Sequence, residues 1–284
     1  MSETAGARHE PRATGARHEP GVASTRHEPH IAPARHALYD MHCHLDFFPD
    51  PAGAARALDS QGAAALCATV TPKGFERVRK ELDGSPNVRV GVGLHPWWLA
   101  DGRCGDRDAE HAAELTGSSR FVAEVGLDFA RDRAATAPRQ VAALDALLAA
   151  CEEGGKVLSI HAVRSAGTVL DLLERHGTTS SNIAILHWFS GTSEELGRAV
   201  RLGCRFSVGP RMLETRRGRE YARQLPLDRL LLETDLPGSA EEGRTLDPLE
   251  IPRQLRRALG MLNEIRGEDV ATRVAEASAE ILGL

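Results

Sequence analysis

Lysine is nearly missing from this 284-residue chain: of 35 basic residues only Lys73, Lys80 and Lys156 are lysines. Aromatic residues make up 4% of the chain against 42% hydrophobic, so the core is built mainly from Ala, Leu and Val. No run approaches the roughly 20 consecutive apolar residues that a bilayer-spanning helix needs, and the N-terminus lacks the apolar core of a signal peptide. The expected location is the cytoplasm, with no membrane partner. The five cysteines, Cys43, Cys67, Cys104, Cys151 and Cys204, are odd in number, scattered and without a C-x-x-C pair. That excludes a disulfide framework and a zinc ribbon and leaves them as small core residues. A formal net charge of −5 carries no global footprint for nucleic acid, so any such contact has to come from local patches.

Residues 1–36 stand apart. Arg-His-Glu-Pro recurs at Arg8, Arg17 and Arg26, and Arg35-His36 keeps the register once more. Gly, Ala, Pro, Thr and charge leave almost nothing to bury, which predicts a disordered low-complexity tail whose repeated histidines hold no metal. Over 37–284 short apolar runs alternate with amphipathic stretches, the pattern of repeated βα units. Strands are predicted at 37–45, 63–70, 88–94, 120–127, 157–162, 183–187, 204–208 and 229–234. Helices are expected near 51–61, 73–83, 106–117, 136–153, 166–177, 193–202, 214–224 and 248–264, with a terminal one at 268–282. Asp50-Pro51 opens the first helix, Ser193 caps the sixth with Glu194 and Glu195 in its first turn, and Gly177 and Gly203 follow helix ends. Eight such units predict an α/β fold, a (β/α)8 TIM barrel. An open doubly wound sheet would want a Gly-rich phosphate loop after its first strand, and none is there.

The stretch Tyr39-Asp40-Met41-His42-Cys43-His44-Leu45-Asp46 sets two histidines two positions apart in a strand. Strand side chains alternate faces, so His42 and His44 are expected to point together. In a barrel the reactive groups collect at the C-terminal ends of the strands. Polar residues there are His42 and His44 on the first strand, His95 on the third, Glu124 on the fourth, His161 on the fifth, His187 on the sixth and Asp235 on the eighth. Taken singly, each histidine is as readily a buried, hydrogen-bonded side chain as a ligand. The joint pattern decides otherwise: of twelve histidines five lie in the tail, His111 and His176 sit on helices, and the remaining five all end strands. Imidazoles and carboxylates in these numbers suit one or two divalent ions of the zinc, manganese or magnesium kind. Many metal-dependent barrels bridge two ions with a modified lysine on the fourth strand. Here no lysine lies between Lys80 and Lys156, and Glu124 stands in that place. A two-ion site would use Glu124 as the bridge, with His42, His44 and Asp235 on one ion and His161 and His187 on the other.

Asp40 to Asp46, Gly93-Leu94-His95-Pro96, Glu124-Val125-Gly126-Leu127-Asp128, His187-Trp188-Phe189-Ser190-Gly191 and Glu233-Thr234-Asp235-Leu236-Pro237 come in this order along the chain. The series resembles the motifs of the TatD family of metal-dependent hydrolases, over roughly residues 38–284. The resemblance implies a barrel that holds two divalent ions and cleaves phosphodiester bonds in DNA with a metal-activated water. In that reading Asp235 is the general base and Glu124 the bridging catalytic carboxylate. His95 contacts phosphate or the leaving group, or is the turn residue before Pro96. Arg164 and Arg211, just past strands, bind phosphate or make loop salt bridges. Asp128 joins these substrate-side residues from behind the ligands. Trp97, Trp98 and Trp188 flank the mouth, where stacking on an unpaired base would favour single-stranded ends and loop packing is the alternative. The helix Arg216 to Arg223 adds a local basic patch or a solvated face.

Residues 156–166, 186–191 and 202–213 are similar to the TatD-like component of the Qat anti-phage systems, which implies partner proteins from a defence operon. Three features depart from the family: Val163 stands where an Arg is usual, Ala277 stands near a usual Asn, and Gly238 to Gly243 replaces a Tyr-rich loop. Hydrolysis of a small amide or ester, and a non-catalytic role in a complex, are the competing functions.

Overall fold

The computed structural model describes residues 36–284, so the expectation of a disordered tail over 1–35 lies outside it. His36, assigned to the tail by its repeat register, is a correction: it is buried, with Nε2 3.0 Å from Asp59 Oδ1. Eight parallel strands follow one another round the sheet in sequence order. They are β1 Leu38–Cys43, β2 Ala63–Ala68, β3 Val88–Leu94, β4 Phe121–Asp128, β5 Val157–Val163, β6 Ile183–His187, β7 Arg205–Val208 and β8 Leu230–Leu232. Parallel strands are covered on both faces and therefore read as continuous apolar runs; every residue of β2 is buried. Tyr39, Met41, Leu66, Phe121, Ile185 and Leu231 pack together in the barrel interior, while Leu38, Cys43, Ala65 and Cys67 pack outward against the helices.

Closure between β8 and β1 is made beyond the three residues of β8. Asp235 N donates to His42 O at 2.9 Å and His44 N to Leu236 O at 2.8 Å. The Asp40 carboxylate adds a stitch, accepting from Thr234 N at 3.1 Å and Thr234 Oγ1 at 2.6 Å. Burial pushes the Asp40 carboxyl up to about 7 against the pull of these bonds.

The helices are α1 Pro51–Asp59, α2 Pro72–Glu81, α3 Pro96–Ala100, α4 Asp106–Ser118, α5 Ala137–Ala149 and α6 Ala166–Arg175. They continue with α7 Ser193–Arg201, α8 Pro210–Leu213, α9 Arg216–Gln224, α10 Ala240–Gly243, α11 Glu250–Arg266 and α12 Ala271–Leu282. Short α3, α8 and α10 were not expected, because four or five residues give no measurable helical period. The cap of α7 is Thr192 and not Ser193: Thr192 Oγ1 accepts from Glu195 N at 3.2 Å while Glu195 Oε2 accepts from Thr192 N at 2.7 Å. This reciprocal pair satisfies two free donors at the helix start. Ala275, Ala279, Ile281 and Leu282 of α12 join the interior cluster and seal the N-terminal end of the barrel.

One of the three lysines has a structural task. Lys156 is buried, and Nζ donates to Thr116 O at 2.8 Å and to Gly117 O and Ser119 O at 3.0 Å, capping the carbonyls at the end of α4. Lys156→Met is expected to cost about 2–3 kcal/mol in urea unfolding, because one buried and two part-buried carbonyls lose a charged donor. A loss below about 0.5 kcal/mol, the range of ordinary surface changes, would contradict this role.

Candidate active site

Two strands carry an extra residue where the site is built. Between Asp40 and Cys43, β1 advances three residues while β2 advances two, from Ala65 to Cys67. Met41 and His42 thereby both turn inward: Met41 packs with Leu66, and His42 Nδ1 reaches Ser159 Oγ across the barrel at 2.6 Å. In β4 the extra residue is Glu124, unmatched both in β3 (Val122 to Val125 against Val92 to Leu94) and in β5 (Ala123 to Val125 against Ser159 to Ile160). Glu124 takes φ +60°, a left-handed conformation that costs a non-glycine residue about 1–2 kcal/mol. Gly126 follows at φ +143°, where an added Cβ would lie 2.0 Å from His161 O, so only glycine fits. Asp235 at φ +59° and Trp188 at φ +41° are left-handed too. Such residues persist where rigid surroundings hold a side chain against its backbone preference.

Glu124 sits at the centre of the cluster. Its Oε2 lies against His42 Nε2 and 3.3 Å from His44 Nε2. Its Oε1 lies 3.1 Å from His161 Nδ1, 3.4 Å from His95 Nε2 and 3.6 Å from His187 Nε2. Asp235 Oδ1 joins the first set, 3.2 Å from His44 Nε2 and 3.9 Å from His42 Nε2. His42, His44, Glu124 and Asp235 each offer a ligand atom within 4.8 Å of the others, and His95, Glu124 and His161 form a second such group. His187 Nε2 is 3.2 Å from His161 Nδ1, and its ring stacks on that of His42 with centroids 3.9 Å apart. All seven residues that the strand-end pattern singled out therefore meet at one place.

The second nitrogen of each ring separates ligands from donors. His44 Nδ1 faces the carbonyl of Ala68 at 2.8 Å and so donates to it, leaving the Nε2 lone pair for the site. His161 Nε2 is backed by Asp128 Oδ2 at 3.4 Å, leaving Nδ1 toward Glu124. His95 is the reverse case. Its Nδ1 accepts from Trp97 N at 3.0 Å, so the neutral ring carries its proton on Nε2 and presents a donor. Proximity alone would group His95 with the second ligand set; its tautomer removes it.

Burial would raise Glu124, but His42, His95 and His187 around it outweigh burial and hold its carboxyl well below the usual range. Asp235, also raised by burial, is pulled down to about 2 chiefly by His44. Burial would lower His44 and His161. Bonds to Asp235, Asp46 and Glu124 nevertheless hold His44 well above its usual value, and bonds to Asp128 and Glu124 hold His161 at about 9. Burial keeps His42 neutral at about 4 and His95 at about 3. The protons that His44 and His161 hold between carboxylates mark places where a divalent cation would supply the charge. The donor set of imidazole nitrogens and carboxylate oxygens fits such an ion, and its binding would release protons and strengthen with rising pH.

A cavity of about 410 Å³ opens on this cluster, walled by Phe47, Val70, Trp97, Trp98, Val163 and Trp188. Arg211 lines it as expected, with its guanidinium 5.9 Å over the Trp188 ring. Arg164 does not: it is exposed, left-handed at φ +54°, and Val163 takes the place on the wall. Asp128 is also off the lining. It is fully buried, accepts from Trp97 Nε1 and Ala130 N, and touches Arg133 Nε at 3.2 Å, which places it behind His161. The sequence assigns no role to Ser159 or Glu233. Ser159 is the one polar residue between Val157 and Ile160, and Glu233 is the acid directly after the apolar run of β8.

The sequence profile described as TatD related DNase matches residues 39–283. Over 249 residues, 84% of this chain and 93% of the relative, the sequence is 29% identical to the uncharacterized metal-dependent hydrolase YjjV of Escherichia coli K12. The crystal structure of YjjV, a TatD homolog, superimposes with a TM-score of 0.73 at 26% identity, covering 87% of this chain and 98% of that one. A 3′-5′ ssDNA/RNA exonuclease TatD of Edwardsiella piscicida is 37% identical over 119 residues, 41% of this chain and 45% of that relative. With its barrel and its histidine and carboxylate cluster, the chain belongs to the TatD family of metal-dependent hydrolases.

Proposed function

We propose that the protein hydrolyses phosphodiester bonds at the ends of single-stranded DNA, with two divalent ions held across Glu124. The observation that carries this reading is the division of one carboxyl group, with one oxygen toward His42, His44 and Asp235 and the other toward His161 and His187. Bound there, zinc, manganese or magnesium would polarise a phosphoryl oxygen and lower the pKa of a water. Asp235 has the most exposed side chain of the set, at 22%, and serves as the general base that orients the attacking water and takes its proton. His95 donates from Nε2 to a phosphoryl or leaving oxygen, and Arg211 holds a phosphate from the cavity wall.

Trp97 favours an unpaired strand. It is the one large apolar side chain exposed among the described residues, at 41%. Its indole is fixed by Asp128 and by the Arg133 guanidinium 4.6 Å over the ring, and a fixed ring suits base stacking. Trp97→Ala is expected to raise KM for a single-stranded oligonucleotide about fivefold, the low end of one lost stacking contact. Turnover of a small chromogenic phosphodiester should stay unchanged; an equal loss on both substrates would contradict the stacking role. Relatives that carry the name ssDNA/RNA exonuclease support the same substrate class.

The direct test is nucleotide release from end-labelled single-stranded DNA with manganese, magnesium or zinc. No release beside turnover of an amide or ester would overturn the nuclease reading in favour of small-molecule hydrolysis. The likeness to the Qat component extends the proposal to cytoplasmic anti-phage defence alongside partner proteins, for which plaque protection abolished by Glu124→Gln is the check.

A further inference from the structure

We propose that Glu233 is a positioning residue, its buried carboxyl holding the His187 imidazole and the Trp188 backbone in place at the second ion site. The inference rests on the two-ion reading above. A neutral imidazole that ligates through one nitrogen carries its proton on the other, and that N–H needs a fixed acceptor. His44 has Ala68 O, His161 has Asp128, and His42 has Ser159. His187 points Nε2 at Glu124 and His161, while its Nδ1 is buried with no hydrogen-bond partner. The carboxyl group facing that orphaned nitrogen is that of Glu233, with Oε2 3.8 Å away.

Glu233 is itself held. Ser207 Oγ donates to Oε2 at 2.5 Å, and Trp188 N donates to Oε1 at 2.9 Å. The second bond matters because Trp188 is left-handed at φ +41° and lines the cavity wall. One carboxyl therefore faces a ligand ring and holds the residue beside it that shapes the substrate wall. A rotation of the His187 ring that closes the 3.8 Å gap completes the bond from Nδ1–H to the Glu233 carboxyl oxygen as Nε2 takes a ligand.

Glu233→Gln isolates the role. Its carbonyl oxygen still accepts from Trp188 N, but the amide nitrogen that replaces Oε2 cannot accept from His187 Nδ1–H. Full-length wild type and E233Q would be titrated with Mn2+ alone by calorimetry. Expected are two binding events in wild type and, in E233Q, a 10- to 100-fold weaker second event with the first unchanged. E233Q that is folded and binds both ions as wild type overturns the proposal. Wild type that binds no ion overturns the two-ion reading and this proposal with it. Should E233Q not fold, the zinc-loaded wild type decides by imidazole nitrogen NMR, with the His187 signals assigned through His187→Gln. A slowly exchanging Nδ1–H supports the proposal; a proton on Nε2 overturns it.

Discussion

Glu124→Gln is expected to bind neither ion tightly and to lose hydrolysis by about 10³-fold or more, the upper range for removing one preorganised charge-stabilising group. The size follows from position. Glu124 is the extra residue of β4 relative to both neighbouring strands, so its carboxyl projects to the barrel axis with one oxygen for each half of the site. Glutamine keeps the shape and the left-handed backbone but brings a neutral amide, with two N–H donors, against imidazole nitrogens that need to stay free. Both halves lose their shared anion together. Elemental analysis of the purified variant checks the ion count, and a single-turnover assay on labelled DNA checks the rate. Wild-type uptake of both ions by Glu124→Gln would show that the carboxylate is not a bridge.

His95→Asn is expected to lower kcat by about 10²- to 10³-fold while the protein keeps its full ion count. Asparagine is a good N-cap and can keep the bond that His95 Nδ1 now accepts from Trp97 N, so α3 should hold. What disappears is the Nε2–H donor facing the cavity. Burial holds the His95 imidazole down at about 3, so it acts at neutral pH as a neutral donor. An ion lost on this substitution would make His95 a ligand, as its distance to Glu124 alone suggests.

The strand ends were legible because a parallel strand is apolar until it reaches the rim. His95, Glu124, His161 and His187 each interrupt such a run at the rim, whereas Asp235 stands two residues beyond Glu233, the acid that ends the β8 run. His42 and His44 do meet, but strand alternation is an incomplete reason for it. Alternation predicts that His42 and His44 share a face, but β1 ends at Cys43 and His42 turns inward through a bulge. A bulge is a property of pairing with β2, which no local pattern records. Glu233 and Ser207 lie 26 residues apart, and Ser159 meets His42 over 117, so their partnership with the site appears only once the barrel closes. Arg164 shows the limit from the other side: its offset from the family motif was visible, whereas the backbone turn that sends it to the surface was not.

The proposed chemistry requires two ions to share the Glu124 carboxylate. Anomalous scattering from crystals of the wild-type protein grown with manganese tests it most directly. Two peaks are predicted, one among His42, His44, Asp235 and Glu124 Oε2, the other among Glu124 Oε1, His161 and His187. A single peak, or none in a folded protein, would rule out the two-ion site.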